Sequence, residues 1–394
     1  MRKDVTILGQ MLQTFSRYEF ARAVNETKTE RHSRGFSSWS HFVSMLIGQL
    51  AGQDSLRGIE AGLASQSRAL YHFGVQPVRR STLSYANEHR THELFKKIFE
   101  RRLSKCLPLA PRHKFRFKNP LYSLDTTTIY LCLSLFDWAK FRTTKGAVKL
   151  HVKLNHAGYL PMFVHLTTGT EHELRVAPLF PLERGDVVVF DRALTNFTWY
   201  ANLIERGIYF VTRLKRNAAY RVVERRDVSH LKNIFSDQII EFTGYPASGK
   251  CRDRLRRIRS QDPETGKIIV VLTNQLDWSA QTIALIYKER WQIELFFKAL
   301  KQQLKVKSFV GTSRNALLSQ LWVALIAYLL LSYLKFRSRF AWSLYTLTSI
   351  LPTNLFARRN LWDWLNAPFH PRGQSPPLAG PAPARVQLIW TVMT

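Results

Sequence analysis

Four consecutive residues, Val187-Val188-Val189-Phe190, are apolar without interruption. Side chains alternate across a strand, so a strand built from this run has apolar residues on both faces and needs cover on both. That demand reads as a short strand of the buried, parallel-sheet type in an α/β fold. Neighbouring segments agree. Tyr122–Leu135 is rich in β-branched and apolar residues, Ala147–Asn155 and Leu160–Thr167 flank the turn His156-Ala157-Gly158-Tyr159 as a hairpin, and a helix from about Asn196 to Arg206 leads into a strand at 208–214. Residues 215 to about 278 are dense in Arg and Lys, with turn signals and the strand-like run 267–274, and read as a mostly β insertion.

Before this β-rich texture the chain is helical. Residues 1 to about 112 carry apolar residues at helical spacing, with one helix expected from a Ser81 N-cap through Thr82–Lys105. Pro108, Pro111 and Pro120 mark a boundary. After the insertion, one long helix is expected over 279–307 because neither Pro nor Gly interrupts it, and a second, apolar one over Arg314–Phe336. Ala316–Leu334 is free of charge, but Ser319 and Gln320 interrupt its start, so it reads as a buried core helix and no membrane partner is expected. Beyond Pro368 a Pro-, Gly- and Ser-rich tail predicts disorder.

Charge narrows the partner. The chain has 394 residues, with 58 Lys and Arg against 28 Asp and Glu, a net charge of +30 spread along its length. A polyanion, nucleic acid first, is the simplest reason for such an excess. The three cysteines are far apart and form no CxxC pair, which argues against a disulfide framework or a zinc knuckle and predicts a reducing, cytoplasmic setting.

Against this basic background two acids stand out. Asp125 lies inside an apolar strand, and Asp191 ends the apolar run 187–190. A carboxylate in a buried strand needs a cation or hydrogen bonds to offset desolvation, and two of them on neighbouring strands suggest a metal site at a sheet edge. A third acid comes from the helix containing Tyr287, Arg290, Glu294 and Lys301. At about 100° per residue these four fall within an arc of roughly 60°, beside an apolar stripe of Ile293, Phe296, Phe297, Leu300 and Leu304. Three carboxylates suit two Mg²⁺ ions about 4 Å apart, which assist in-line displacement at phosphorus, while Tyr, Arg and Lys hold phosphates. Trp199, Trp278 and Trp291 are candidates for base stacking or, more simply, for the core, and His172 is a candidate neighbour of the site.

The segment YKERWQIELFFKALK at 287–301 carries the spacing Tyr-x2-Arg-x3-Glu-x6-Lys, and with it the chain resembles bacterial DDE transposases of the insertion-sequence-4 family. SLDTTTIYLCLSLFDWAKFRTTKGAVKLH at 123–151 and VVVFDRALTNFTWY at 187–200 are similar to that family's two aspartate blocks, and similar stretches run from about residue 10 to 355. The resemblance implies an RNase H-like catalytic core (113–366) with a β insertion, preceded by a helical DNA-binding domain (1–112) and followed by the tail (367–394). It implies Asp125, Asp191 and Glu294 as the metal-binding triad, with Mg²⁺ or Mn²⁺ as cofactor. Tyr287, Arg290 and Lys301 would contact DNA. The expected activity is cleavage and strand transfer at the ends of an insertion sequence. The expected partners are double-stranded terminal repeats and target DNA, engaged by a homodimer at the bacterial nucleoid. One departure is visible: Ala193-Leu194 stands where the family usually has Gly-Tyr. It is the feature in favour of one alternative, an inactive DNA-binding descendant; a metal-dependent nuclease without strand transfer, whose triad would look the same, is the other.

Overall fold

A computed structural model describes residues 5–31, 33, 35–142, 145–244, 247–304, 306 and 309–369. The expected disordered tail lies, from residue 370 on, outside the described residues. Seven helices come first: α1 (Ile7–Leu12), α2 (Arg17–Thr27), α3 (Ser38–Leu50), α4 (Leu56–Ser65), α5 (Ser67–Tyr71), α6 (Arg80–His89) and α7 (Glu93–Cys106). The single helix expected over 82–105 is therefore two, and α6 begins at Arg80 with no side-chain cap where Ser81 was expected to cap it. The split has a long-range cause. Asn315 donates from Nδ2 to the carbonyls of Asn87 and Arg90, and its Oδ1 accepts the His92 N–H, so one side chain satisfies the end of α6 and the start of α7.

The strands are β1 (Leu121–Leu131), β2 (Lys140–Arg142), β3 (Lys145–Asn155), β4 (Leu160–Thr168), β5 (Val187–Phe190), β6 (Tyr209–Arg213), β7 (Tyr220–Arg226), β8 (Ile234–Phe242), β9 (Leu255–Gln261) and β10 (Ile268–Thr273). They form one mixed sheet in the order β2-β3-β1-β5-β6-β10-β9-β8-β7, with β4 beside β3. The strand expected over 122–135 stops at Leu131, where the chain turns so that Leu135 and Phe136 bond back to the Cys132 carbonyl. The strands of 215–278 continue the main sheet, because β10 pairs with β6.

Short helices α8 (Glu173–Val176), α9 (Phe197–Glu205) and α10 (Ala247–Lys250) connect the strands. Both faces of β5 are covered, as its sequence demands. Val188 and Phe190 pack on Trp199, Tyr200 and Leu203 of α9. Val187 and Val189 pack on Ile283 and Ile286 of α11 (Ala280–Glu289).

The long helix expected over 279–307 is broken. Arg290 interrupts it between α11 and α12 (Trp291–Lys298), and a π-helical turn follows at Ala299–Gln303. Around Arg290 the amides reach back three residues (Arg290 to Tyr287, Ile293 to Arg290), tightening the coil, whereas the Leu304 amide reaches back five to Ala299, loosening it.

α13 (Arg314–Arg337), α14 (Leu344–Asn354) and α15 (Leu361–Asn366) complete the fold. α13 has the length and apolarity of a membrane span, yet nearly all of it is buried in protein. It belongs to one hydrophobic core with α1–α3, α7, α12, α14 and the far ends of β1 and β3. Phe99 of α7 meets Trp322 of α13 at 5.3 Å between ring centroids, and the Cys106 thiol donates to the Leu329 carbonyl.

Candidate functional site

Register and parity bring the acids together. β1 and β5 run parallel, and their last ladder pair sets Leu124 opposite Phe190, so the next residue on each strand is an aspartate. Leu124 and Phe190 both point into the α9-side core. Alternation therefore turns Asp125 and Asp191 to the other face, on which α11 packs.

Asp125 is largely buried. Its Oδ1 accepts the Thr126 N–H at 2.7 Å, and its Oδ2 lies 3.6 Å from Arg290 Nη1. Burial pushes its carboxyl up to about 7, against the pull of the Thr126 amide and Arg290, with Asp191 and Glu294 adding repulsion. Asp191 Oδ1 accepts the Ala193 N–H at 2.8 Å and starts a single 3₁₀ turn, Arg192–Leu194. Its carbonyl accepts the Thr212 hydroxyl at 3.3 Å. Ala193 and Leu194 do not have positive φ, so the backbone there makes no demand for glycine.

On the opposing helix, Glu294 Oε1 accepts from Arg290 Nη2 at 2.5 Å. One guanidinium thus joins Asp125 and Glu294. Lys301, carried by the π-helical turn, donates to the Thr127 hydroxyl at 2.6 Å and the Thr128 carbonyl at 2.8 Å on β1. Tyr287 is buried, with Arg290 5.9 Å from its ring, and burial raises its hydroxyl pKa against the opposing charges of Arg290 and Arg213. Asp125, Asp191, Tyr287, Arg290, Glu294 and Lys301 are therefore carried by β1, the end of β5, the α11–α12 segment and the π-helical turn after it.

The acids do not stand as a ready cage. Among the described residues no three Asp, Glu, His or Cys side chains are grouped so as to hold a metal ion. The Arg290 guanidinium lies between two of the carboxylates, 3.6 Å from Asp125 and 2.5 Å from Glu294. The donor set itself fits a hard divalent cation: three carboxylates, one of them buried and short of positive charge, with a guanidinium as the stand-in cation.

Some neighbours went unnoticed in the sequence. Thr127 shares a face with Asp125 by strand alternation, a signal present in the run Asp-Thr-Thr-Thr. Glu173, at the start of α8, lies near enough to Asp191 for its charge to add to the burial that raises the Glu173 carboxyl, while Lys149 opposes from 3.8 Å. His172 caps α8 by accepting the Leu174 N–H, beside this carboxylate. Trp199 is buried against Phe190, Trp278 is partly buried and stacks on Phe117, and Trp291 is 56% exposed. A cleft of about 900 Å³ lies along α12, lined by Gln292, Leu295, Lys298 and Gln302, and none of the three acids lines it.

Residues 116–330 match the Transposase DDE domain, and residues 3–76 match a domain of unknown function (DUF4372). A protein from Geobacillus stearothermophilus named as a probable transposase for insertion sequence element IS5377 is 32% identical over 263 residues, which is 66% of this chain and 69% of the relative. A Synechocystis sp. protein named as a transposase for insertion sequence element IS4SA is 25% identical over 74% of this chain and 81% of the relative. The piggyBac transposase in a synaptic complex with hairpin DNA aligns with a TM-score of 0.42 at 12% identity, over 93% of this chain and 83% of that one. With more than half of its length matched to that domain, the chain belongs to the DDE transposase family.

Proposed function

We propose that the protein cuts the ends of an insertion sequence and joins them to target DNA, using Asp125, Asp191 and Glu294 as the metal-holding triad of an RNase H-like core within the insertion-sequence-4 group. The observation that carries this reading is the register: the two aspartates follow the last paired residues of two parallel strands and turn to the α11 face, and Arg290, at the junction of α11 with α12, joins Asp125 to Glu294. Divalent ions, Mg²⁺ or Mn²⁺, would sit on these carboxylates and supply charge to activate the attacking oxygen and stabilise the leaving one. The chain's own residues do the rest. Arg290 has a planar fork suited to a phosphate, and Lys301, tied to β1 through Thr127 and Thr128, sets a point charge beside the site. Tyr287 braces Arg290 from the sheet side. The helices of residues 1–112 and the basic strands within 215–278 would bind the duplex, the core of 113–366 would cut it, and two copies would act together on paired ends.

Glu294→Gln tests the reading, since it keeps the shape of the helix face and removes one anionic ligand. Mg²⁺-dependent cleavage of DNA carrying the element's ends is expected to fall by at least about a hundredfold, with DNA binding near wild type. Undiminished cleavage by the same preparation would remove Glu294 from the mechanism. The inactive alternative rested on Ala193-Leu194. The 3₁₀ turn there holds Asp191 Oδ1 through the Ala193 N–H without positive φ, which favours a competent site.

A further inference from the structure

Arg290 occupies a position that its role as a phosphate contact does not require. It lies at the break between α11 and α12 and is 15% exposed. Its two terminal nitrogens are shared between Asp125, at 3.6 Å, and Glu294, at 2.5 Å, and its buried Nε has no hydrogen-bond partner. A guanidinium presents five donors, so this one is under-satisfied and has capacity for a further acceptor. A DNA phosphodiester offers two geminal oxygens matched to that fork, with its negative charge shared between them. While Arg290 holds Glu294, no three acids are grouped to take a metal among the described residues.

We propose that Arg290 is an internal counter-cation that keeps the triad closed to divalent metal until a DNA phosphate draws the guanidinium away, so that DNA and metal load cooperatively. This rests on the reading of the site as a metal-dependent DNA-cutting centre. Between Asp125 and Glu294 the guanidinium and a divalent ion compete for the same oxygens. A ligand that binds Arg290 therefore raises metal affinity, and metal raises affinity for that ligand by the same factor. Arg290 itself sits at the tightened coil between α11 and α12, where the amides reach back three residues and not four.

The test is Mn²⁺ binding to the full chain, read from the spin signal of free Mn²⁺, with no cleavage involved. Wild type is expected to bind Mn²⁺ weakly alone and about tenfold more tightly when saturated with a mixed-sequence duplex, after uptake by the duplex itself is subtracted. Arg290→Gln is expected to bind Mn²⁺ about tenfold more tightly than wild type without DNA, with little further gain from the duplex. Adding Glu294→Gln is expected to abolish that gain. Arg290→Lys, which retains charge but cannot bridge both carboxylates, serves where the Gln variant folds poorly, and is expected to fall between. Equal Mn²⁺ affinity in wild type and a folded Arg290 variant, with or without duplex, would overturn the gating role and leave the metal site standing. Absence of Mn²⁺ uptake in every protein, including with duplex, would overturn the metal-site reading itself.

Discussion

His41 is buried, and its ring Nε2 lies 2.8 Å from the Asn87 side-chain oxygen. Asn87 Nδ2 points at the Met45 sulfur, so its oxygen faces His41, which must donate from Nε2 as a neutral ring. Burial accordingly lowers the His41 pKa to about 4. His151 is lowered to about 4 and His156 to about 3, again by burial first. A histidine neutral in the fold and ordinary in the unfolded chain makes stability complete above about pH 6.5 and lower as pH falls towards 4, because only the unfolded state takes up the proton. His41→Gln removes one such group. Its stability deficit relative to wild type is expected to shrink by about 1–2 kcal/mol between about pH 7.5 and pH 5, as measured by urea unfolding. An unchanged deficit would mean that His41 titrates normally in the fold. The same logic of burial made Asp125 and Asp191 visible in the sequence, since an acid inside an apolar run is conspicuous. Glu173 was not visible, because a Glu among polar residues carries no such contrast and its closeness to Asp191 is a product of the fold.

At the scale of elements, the strands were largely legible because their β-branched runs have to be covered. Val187–Phe190 needed two faces of cover and has them in α9 and α11. Helix boundaries were less legible. Nothing in the sequence near Arg90 or Arg290 breaks a helix by propensity, as neither Gly nor Pro is present. Each break has a partner far along the chain: Asn315 at the α6–α7 junction, and Asp125 of β1 beside Arg290. Asn315→Ala would leave two carbonyls and one amide without that partner. It is expected to cost about 2–3 kcal/mol in chemical denaturation. A loss below about 0.5 kcal/mol would mean that water substitutes for the side chain.

The whole molecule carries its charge unevenly in function. In the run RDRLRRIR at 252–259, Arg256 is turned inward onto Asp237 at 2.6 Å and Arg254 meets Glu241, while Arg252 and Arg259 are exposed. The run therefore stabilises the outer strands as well as offering cations to a partner. With +30 overall, DNA affinity is still expected to fall steeply with salt, at roughly −0.9 in log–log slope per phosphate neutralised, or about −5 to −9 for 6–10 contacts. A nearly flat dependence in filter binding would remove the electrostatic account. α13 has a consequence of another kind, in the order of synthesis. α3 and α7 complete their apolar faces only against α13, which leaves the ribosome about 200 residues after α7. At about 5–20 residues per second the nascent helices wait roughly 10–40 s before that face receives its final cover.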